Sequence, residues 1–138
     1  MAATFQALEV ALQLVSALRP LLPAIRTHDP DLARQIKKAC TSVPSCFSEG
    51  AQRRGQDRLH LYRISGGSAA EVRTQLAIAV AWGYVGQASA SPAQELADRC
   101  VALAYRLTTP RVLHFCIADT TPGLKRSEES GAAMIWVL

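Results

Sequence analysis

A chain of 138 residues is the size of one ordinary domain and too short for two. Apolar residues make up 49% and charged residues 19%, which excludes a wholly disordered chain; the low aromatic share, 6%, favours packed helices over a β-sandwich. Fifteen Lys and Arg against eleven Asp and Glu leave a formal charge of +4, a modest excess that suits an anionic partner.

The first predicted helix covers residues 4–25. Leu8, Leu12, Val15, Leu18, Leu22 and Ile25 recur at steps of three and four, and Val10, Leu14, Ala17 and Leu21 make a second stripe at similar spacing. A helix apolar on two sides needs two surfaces to bury against, its own bundle and a second subunit. Pro20 and Pro23 oppose its last turns, which they kink or end early. Thr27-His28-Asp29-Pro30-Asp31 is a restart signal, with Asp29 as cap and Pro30 at the first helical position. The second helix is predicted over 30–54, with Leu32, Ile36, Ala39, Val43 and Phe47 on one face, a kink at Pro44, and Gly50 and Gly55 loosening its end.

The third helix is predicted over 56–84, with Gly86 as its stop signal. Tyr62, Gly66, Ala69, Val72, Leu76, Ala79 and Gly83 form its stripe. The small-residue run Gly66-Gly67-Ser68-Ala69-Ala70 suits close helix packing, since no strand precedes it to make a phosphate loop. Ser91-Pro92-Ala93-Gln94 reads as cap, first position and capping box of a fourth helix over 92–116, whose face carries Leu96, Cys100, Leu103 and Leu107. Residues 117–138, ending in an apolar Ala132–Leu138 stretch, are expected to be a disordered tail. The fold expected is all-α, an up-down-up-down antiparallel four-helix bundle.

The longest apolar stretch, Leu76–Val85, is about half of what a membrane span needs, and Met1–Leu18 carries no basic residue of the kind a signal peptide uses. Cys40, Cys46, Cys100 and Cys116 form no C-x-x-C pair and are expected to be reduced thiols in a cytoplasmic protein. His28, His60 and His114 have no metal-ligand spacing, so neither a metal nor a cofactor is expected. Cys46 has Glu49 one turn later, and a carboxylate raises a thiol's pKa, the wrong direction for a nucleophile. Glu49 and Glu71 are better read as partners of arginines than as an acid–base pair. No catalytic residue is assigned, and the protein is expected not to be an enzyme.

Three stretches carry a family resemblance: Gln35-Ile36-Lys37-Lys38-Ala39-Cys40-Thr41-Ser42-Val43-Pro44-Ser45-Cys46-Phe47-Ser48-Glu49-Gly50, then Gly67-Ser68-Ala69-Ala70-Glu71-Val72-Arg73-Thr74-Gln75-Leu76, then Ile78 through Gly83-Tyr84. They resemble the bacterial four-helix-bundle family encoded in intervening sequences of 23S ribosomal RNA genes. The resemblance spans residues 5–116, and Cys46 and Ser48 stand where the family has asparagine and alanine. It implies a homopentamer of helical bundles around a central channel, without enzymatic activity. The related accessory protein of diversity-generating retroelements is a basic pentameric barrel that binds nucleic acid and works with a reverse transcriptase.

Between Arg34 and Arg73 stand eight basic side chains against three acidic ones, a local excess larger than that of the whole chain. Arg34, Lys37 and Lys38 share one helical face, while Arg53, Arg54 and Arg58 cluster where the second helix gives way to the third, with Arg63 beyond them. These seven residues are the candidate nucleic-acid contacts, suited to phosphate backbone rather than to bases. Tyr62 is the one aromatic nearby, too little for a base-stacking platform. The expected function is a homo-oligomeric bundle binding RNA or DNA. The alternative is a protein-interaction scaffold that holds a partner protein through its apolar stripes or its tail.

Overall fold

The computed structural model describes residues 2–109, and side chains from Thr4 onward. These residues form five α-helices and no strand: α1 Ala2–Leu18, α2 Leu22–His28, α3 Pro30–Gln52, α4 Gly55–Ala81 and α5 Gln87–Thr108. α1 packs on α3 and α5, α4 packs on the same two helices, and α2 lies on α3. The expected tail over 117–138 and the last residues of the expected fourth helix lie outside the described residues.

The helix predicted over 4–25 is two helices, bent by 52° between α1 and α2. Pro20 cannot donate a backbone hydrogen bond, so the helical ladder stops at a turn where Leu21 N–H reaches Leu18 O at 3.0 Å. Pro23 falls in the first turn of α2, where the missing donor costs little. The ring of His28, the last residue of α2, stacks on Tyr84 at 5.1 Å and 7°, tying α2 to the α4–α5 connection. No single helix among the described residues is long and apolar enough to cross a membrane; α1 and α2 reach that length only together, across their bend.

Of the two predicted stripes, the one through Val10 and Leu14 is buried, while the other is split, Leu18 and Ile25 entering the core and Leu12 and Val15 facing out. Ala7, Val10, Ala11, Leu14 and Leu18 are buried, while Phe5, Leu12 and Val15 are exposed, Phe5 by 75% and Leu12 by 53%. On α3 the predicted face is the buried one: Leu32, Ile36, Ala39, Val43 and Phe47 all enter the core. Asp29 caps α3 as expected, accepting from Leu32 N–H at 2.8 Å, with Pro30 behind it.

Gly50 does not loosen α3. It is buried, and a Cβ placed on it would stand 2.7 Å from Tyr62 Cε1, so α3 and α4 pack closely there. Gly55, at φ +58°, makes the reversal between the two helices. The pair runs antiparallel: Phe47 and Tyr62 rings meet at 6.0 Å, Ser65 Oγ donates to Val43 O at 2.9 Å, and Ser68 Oγ donates to Ser42 Oγ at 3.0 Å. Gly66 lets Ala104 of α5 come close, with a hypothetical Cβ 2.9 Å from Ala104 Cβ, as the small-residue run implies.

Gly83, rather than Gly86, stops α4. At φ +74° it allows Tyr84 N–H to reach Ala79 O and its own N–H to reach Val80 O, both at 2.9 Å, which satisfies two terminal carbonyls. Gly86, extended at ψ 147°, instead precedes the first turn of α5. The expected cap at Ser91 is therefore wrong, and α5 begins at Gln87 rather than 92. Ser91 Oγ donates back to Gln87 O at 2.9 Å and accepts from Gln87 Nε2 at 3.1 Å, whose other bond goes to Gln94 Oε1 at 2.9 Å. Pro92 sits inside the second turn, where it removes one backbone bond. α5 ends before Pro110, with Thr109 extended at ψ 126° as the residue before a proline prefers.

Candidate nucleic-acid interface

The seven predicted basic residues fall into two groups at opposite ends of α3. Nineteen residues of helix separate Arg34 from Arg53, a rise of about 28 Å. Arg34, Lys37 and Lys38 lie on the N-terminal half of α3, all exposed. Arg53, Arg54 and Arg58 surround the α3–α4 turn, and Arg63 is exposed two turns into α4.

The two groups differ in how far their charges are already engaged. At the α3–α4 turn, Arg53 pairs with Glu49 at 3.1 Å, and Arg58 Nε donates to the Arg53 carbonyl at 2.9 Å. Arg58 also lines an open, mainly apolar groove of about 720 Å3 with Phe5, Leu8 and Phe47. At the other end Arg34 pairs with Asp31 at 3.0 Å, but both side chains are mostly in water, and such a pair contributes at most about 1 kcal/mol. Lys37, Lys38, Arg54 and Arg63 have no carboxylate within 4.0 Å among the described residues. Arg73, counted in the local excess, is bound to Asp98 of α5 at 2.6 Å.

Lys37 and Lys38 diverge, as neighbours on a helix must. Lys38 and Arg34 line a groove between α3 and α4 with Ser42, Ser68 and Glu71. Lys37 faces the α1–α2 side, where it shares a second groove with Arg34 and with Arg19 and Arg26. Those two arginines were not among the predicted contacts. In the sequence they are isolated charges in an apolar segment, and the available signal was that they flank Pro20 and Pro23, where a break redirects the chain.

The remaining chemistry-bearing groups have structural partners. Glu49 serves Arg53, as expected of it, whereas Glu71 Oε1 accepts from Gln75 Nε2 at 2.9 Å rather than from an arginine. Cys46 is half-buried with its Sγ 3.6 Å from Ser42 Oγ, in the polar seam between α3 and α4. Burial pushes the Cys40 thiol up to about 11 and the Cys100 thiol up to about 12; for Cys100 the neighbouring Cys40 adds to the rise and Arg99 opposes it. Cys40, Cys46 and Cys100 are all free thiols. Among the described residues no three His, Cys, Asp or Glu side chains are grouped to hold a metal ion.

A small all-α protein with six exposed cations near the two ends of α3, and others on its remaining helices, is a helical bundle with a basic surface. Its family is known from sequence: residues 4–106 match the 23S rRNA-intervening sequence proteins, and the chain belongs to that family. No curated protein matches the sequence.

Proposed function

We propose that the protein is a non-enzymatic, cytoplasmic, homo-oligomeric bundle that binds RNA or DNA through its basic surface, as an accessory to a larger nucleic-acid machine such as a reverse transcriptase. The observation that carries this reading is the set of exposed cations on α3, α4 and the turn between them that have no carboxylate partner among the described residues, Lys37, Lys38, Arg54 and Arg63. A polyanion binds such a set by releasing its counterions, largely without regard to base sequence. Oligomer formation is supported by the outer stripe of α1, where Phe5, Leu12 and Val15 are left in water by a single copy. The pentamer is the state the resemblance implies.

The test is fluorescence anisotropy against labelled RNA and DNA across a salt series, with oligomer mass measured on the same sample. Binding should be micromolar or tighter at low salt, with log K falling steeply against log salt. Reversing charge at Lys37, Lys38, Arg53 and Arg54 together should abolish it while mass and helicity stay unchanged. Undiminished binding by that variant, or no binding by the unaltered protein, refutes the proposal.

A protein-interaction scaffold is the second reading, favoured by the same exposed apolar groups together with Trp82 and Tyr105. Replacing Leu12 and Val15 by glutamate separates the roles of that face. A drop in oligomer mass assigns the outer stripe of α1 to self-assembly, and an unchanged mass leaves it for another protein.

A further inference from the structure

The bend at Pro20 does more than end a helix: it lays α2 along the first turns of α3. The groove between them, about 310 Å3, is rimmed by Arg19, Arg26, Arg34 and Lys37 and floored by the half-buried Leu22 and the buried Ala33. Four cations converge there, Arg19 from the α1–α2 turn, Arg26 from α2, and Arg34 and Lys37 from α3. Asp29 caps Leu32 N–H and Asp31 pairs with Arg34, and among the described residues no carboxylate lies within 4.0 Å of Arg19, Arg26 or Lys37. The groove continues past Arg19, Leu22 and Lys37 into a second one of similar size that adds Val15, Ser16 and Thr41.

We infer that this α2–α3 groove is the seat of the nucleic-acid backbone, that Arg19 and Arg26 are contact residues within it, and that the Arg53–Arg58 end is not the main site. The inference rests on the proposed function and narrows it. The groove's volume is at the low end for ligand sites, so it admits the backbone of one strand rather than a whole duplex. Its lining holds no aromatic ring and no amide side chain, so its polar contacts are cationic ones, suited first to phosphate. The ligand is therefore a phosphodiester strand, held by charge and by apolar contact with sugar, without sequence preference. At the opposite end, by contrast, one guanidinium is held by Glu49 and another by a backbone carbonyl.

The experiment compares R19Q/R26Q with R53Q/R54Q by anisotropy on labelled single-stranded RNA and single-stranded DNA over a salt series. Neutralising rather than reversing these exposed charges spares the fold, checked by helicity and oligomer mass. R19Q/R26Q should lose about tenfold or more in affinity at low salt, and its slope of log K against log salt should fall by about 1.4, roughly 0.7 for each phosphate of a single strand that is no longer neutralised. R53Q/R54Q should change the slope by less than half as much. Equal losses in the two variants, or a larger loss in R53Q/R54Q, overturn the groove assignment while leaving nucleic-acid binding standing. An unaltered protein that binds neither probe overturns the broader reading instead. Discrimination of more than about tenfold between probes of different base sequence would refute the backbone-only mode.

Discussion

Replacing Gly50 by alanine adds one methyl group to α3 at a place where α4 packs close against it. The new carbon would stand 2.7 Å and 2.9 Å from two atoms of the Tyr62 ring and 3.3 Å from Leu61 Cβ. Tyr62 cannot easily give way. Its ring is buried against Phe47, and its hydroxyl lies 3.3 Å from Thr4 Oγ1 of α1. Overpacking of this kind costs about 1–3 kcal/mol, whereas exchanging glycine for alanine within a helix stabilises by up to about 1 kcal/mol. The net expectation is a loss of about 1–2 kcal/mol, or a fall in Tm of roughly 3–9 °C for a domain of this size. Gly67→Ala makes the same chemical change in α4, where a Cβ meets nothing within 4 Å, and should stabilise by up to about 1 kcal/mol. Urea unfolding followed by circular dichroism, at one fixed protein concentration, measures both. If Gly50→Ala is as stable as the unaltered protein, or Gly67→Ala is the worse of the pair, the account of the α3–α4 contact is wrong.

Asp29→Ala removes the side-chain acceptor of Leu32 N–H and should cost about 1 kcal/mol in the same assay; an unchanged midpoint would mean that water replaces the cap fully. Ser65→Ala deletes a buried hydroxyl that donates to Val43 O and should cost about 1 kcal/mol, with a gain in stability as the contrary result. The two buried thiols make stability fall in alkali. Their folded pKa values, about 11 and about 12, lie above the 9.0 of a free thiol, so the unfolded chain releases these protons first. Stability is full below about pH 9 and declines from there toward pH 11–12, by about 1.4 kcal/mol per thiol at one unit above 9. Urea midpoints measured from pH 7 to 10.5 test this, and a Cys40→Ala/Cys100→Ala variant should show a shallower alkaline decline than its parent.

What could be seen in the sequence was what depends on local pattern. The buried face of α3 and the Asp29-Pro30 start were legible because helical spacing and capping chemistry act within a few residues. The Ser91-Pro92 signal misled for a related reason: its chemistry is equally consistent with a serine bonding back one turn, and the Gly83–Gly86 connection had already set the chain on a helical path. Gly50 was misread because its neighbour is Tyr62, which only tertiary structure brings near. The basic site was half legible. Arg34, Lys37 and Lys38 share a helix and showed as a cluster, whereas Arg19 and Arg26 join them only through a 52° bend whose size proline alone does not specify.

The direct contacts between α3 and α4 join residues close in sequence: Ser65 lies 22 positions from Val43, and Ser68 lies 26 from Ser42. The loop closed by this hairpin is short, so its entropic cost is small. α1 is different, because one of its two neighbours is α5, at the far end of the described chain. On a ribosome α1 is therefore made well before α5, the helix that completes its cover. Its buried stripe, Ala7 to Leu18, stays partly in water while the hairpin forms, and closes only once α5 has emerged.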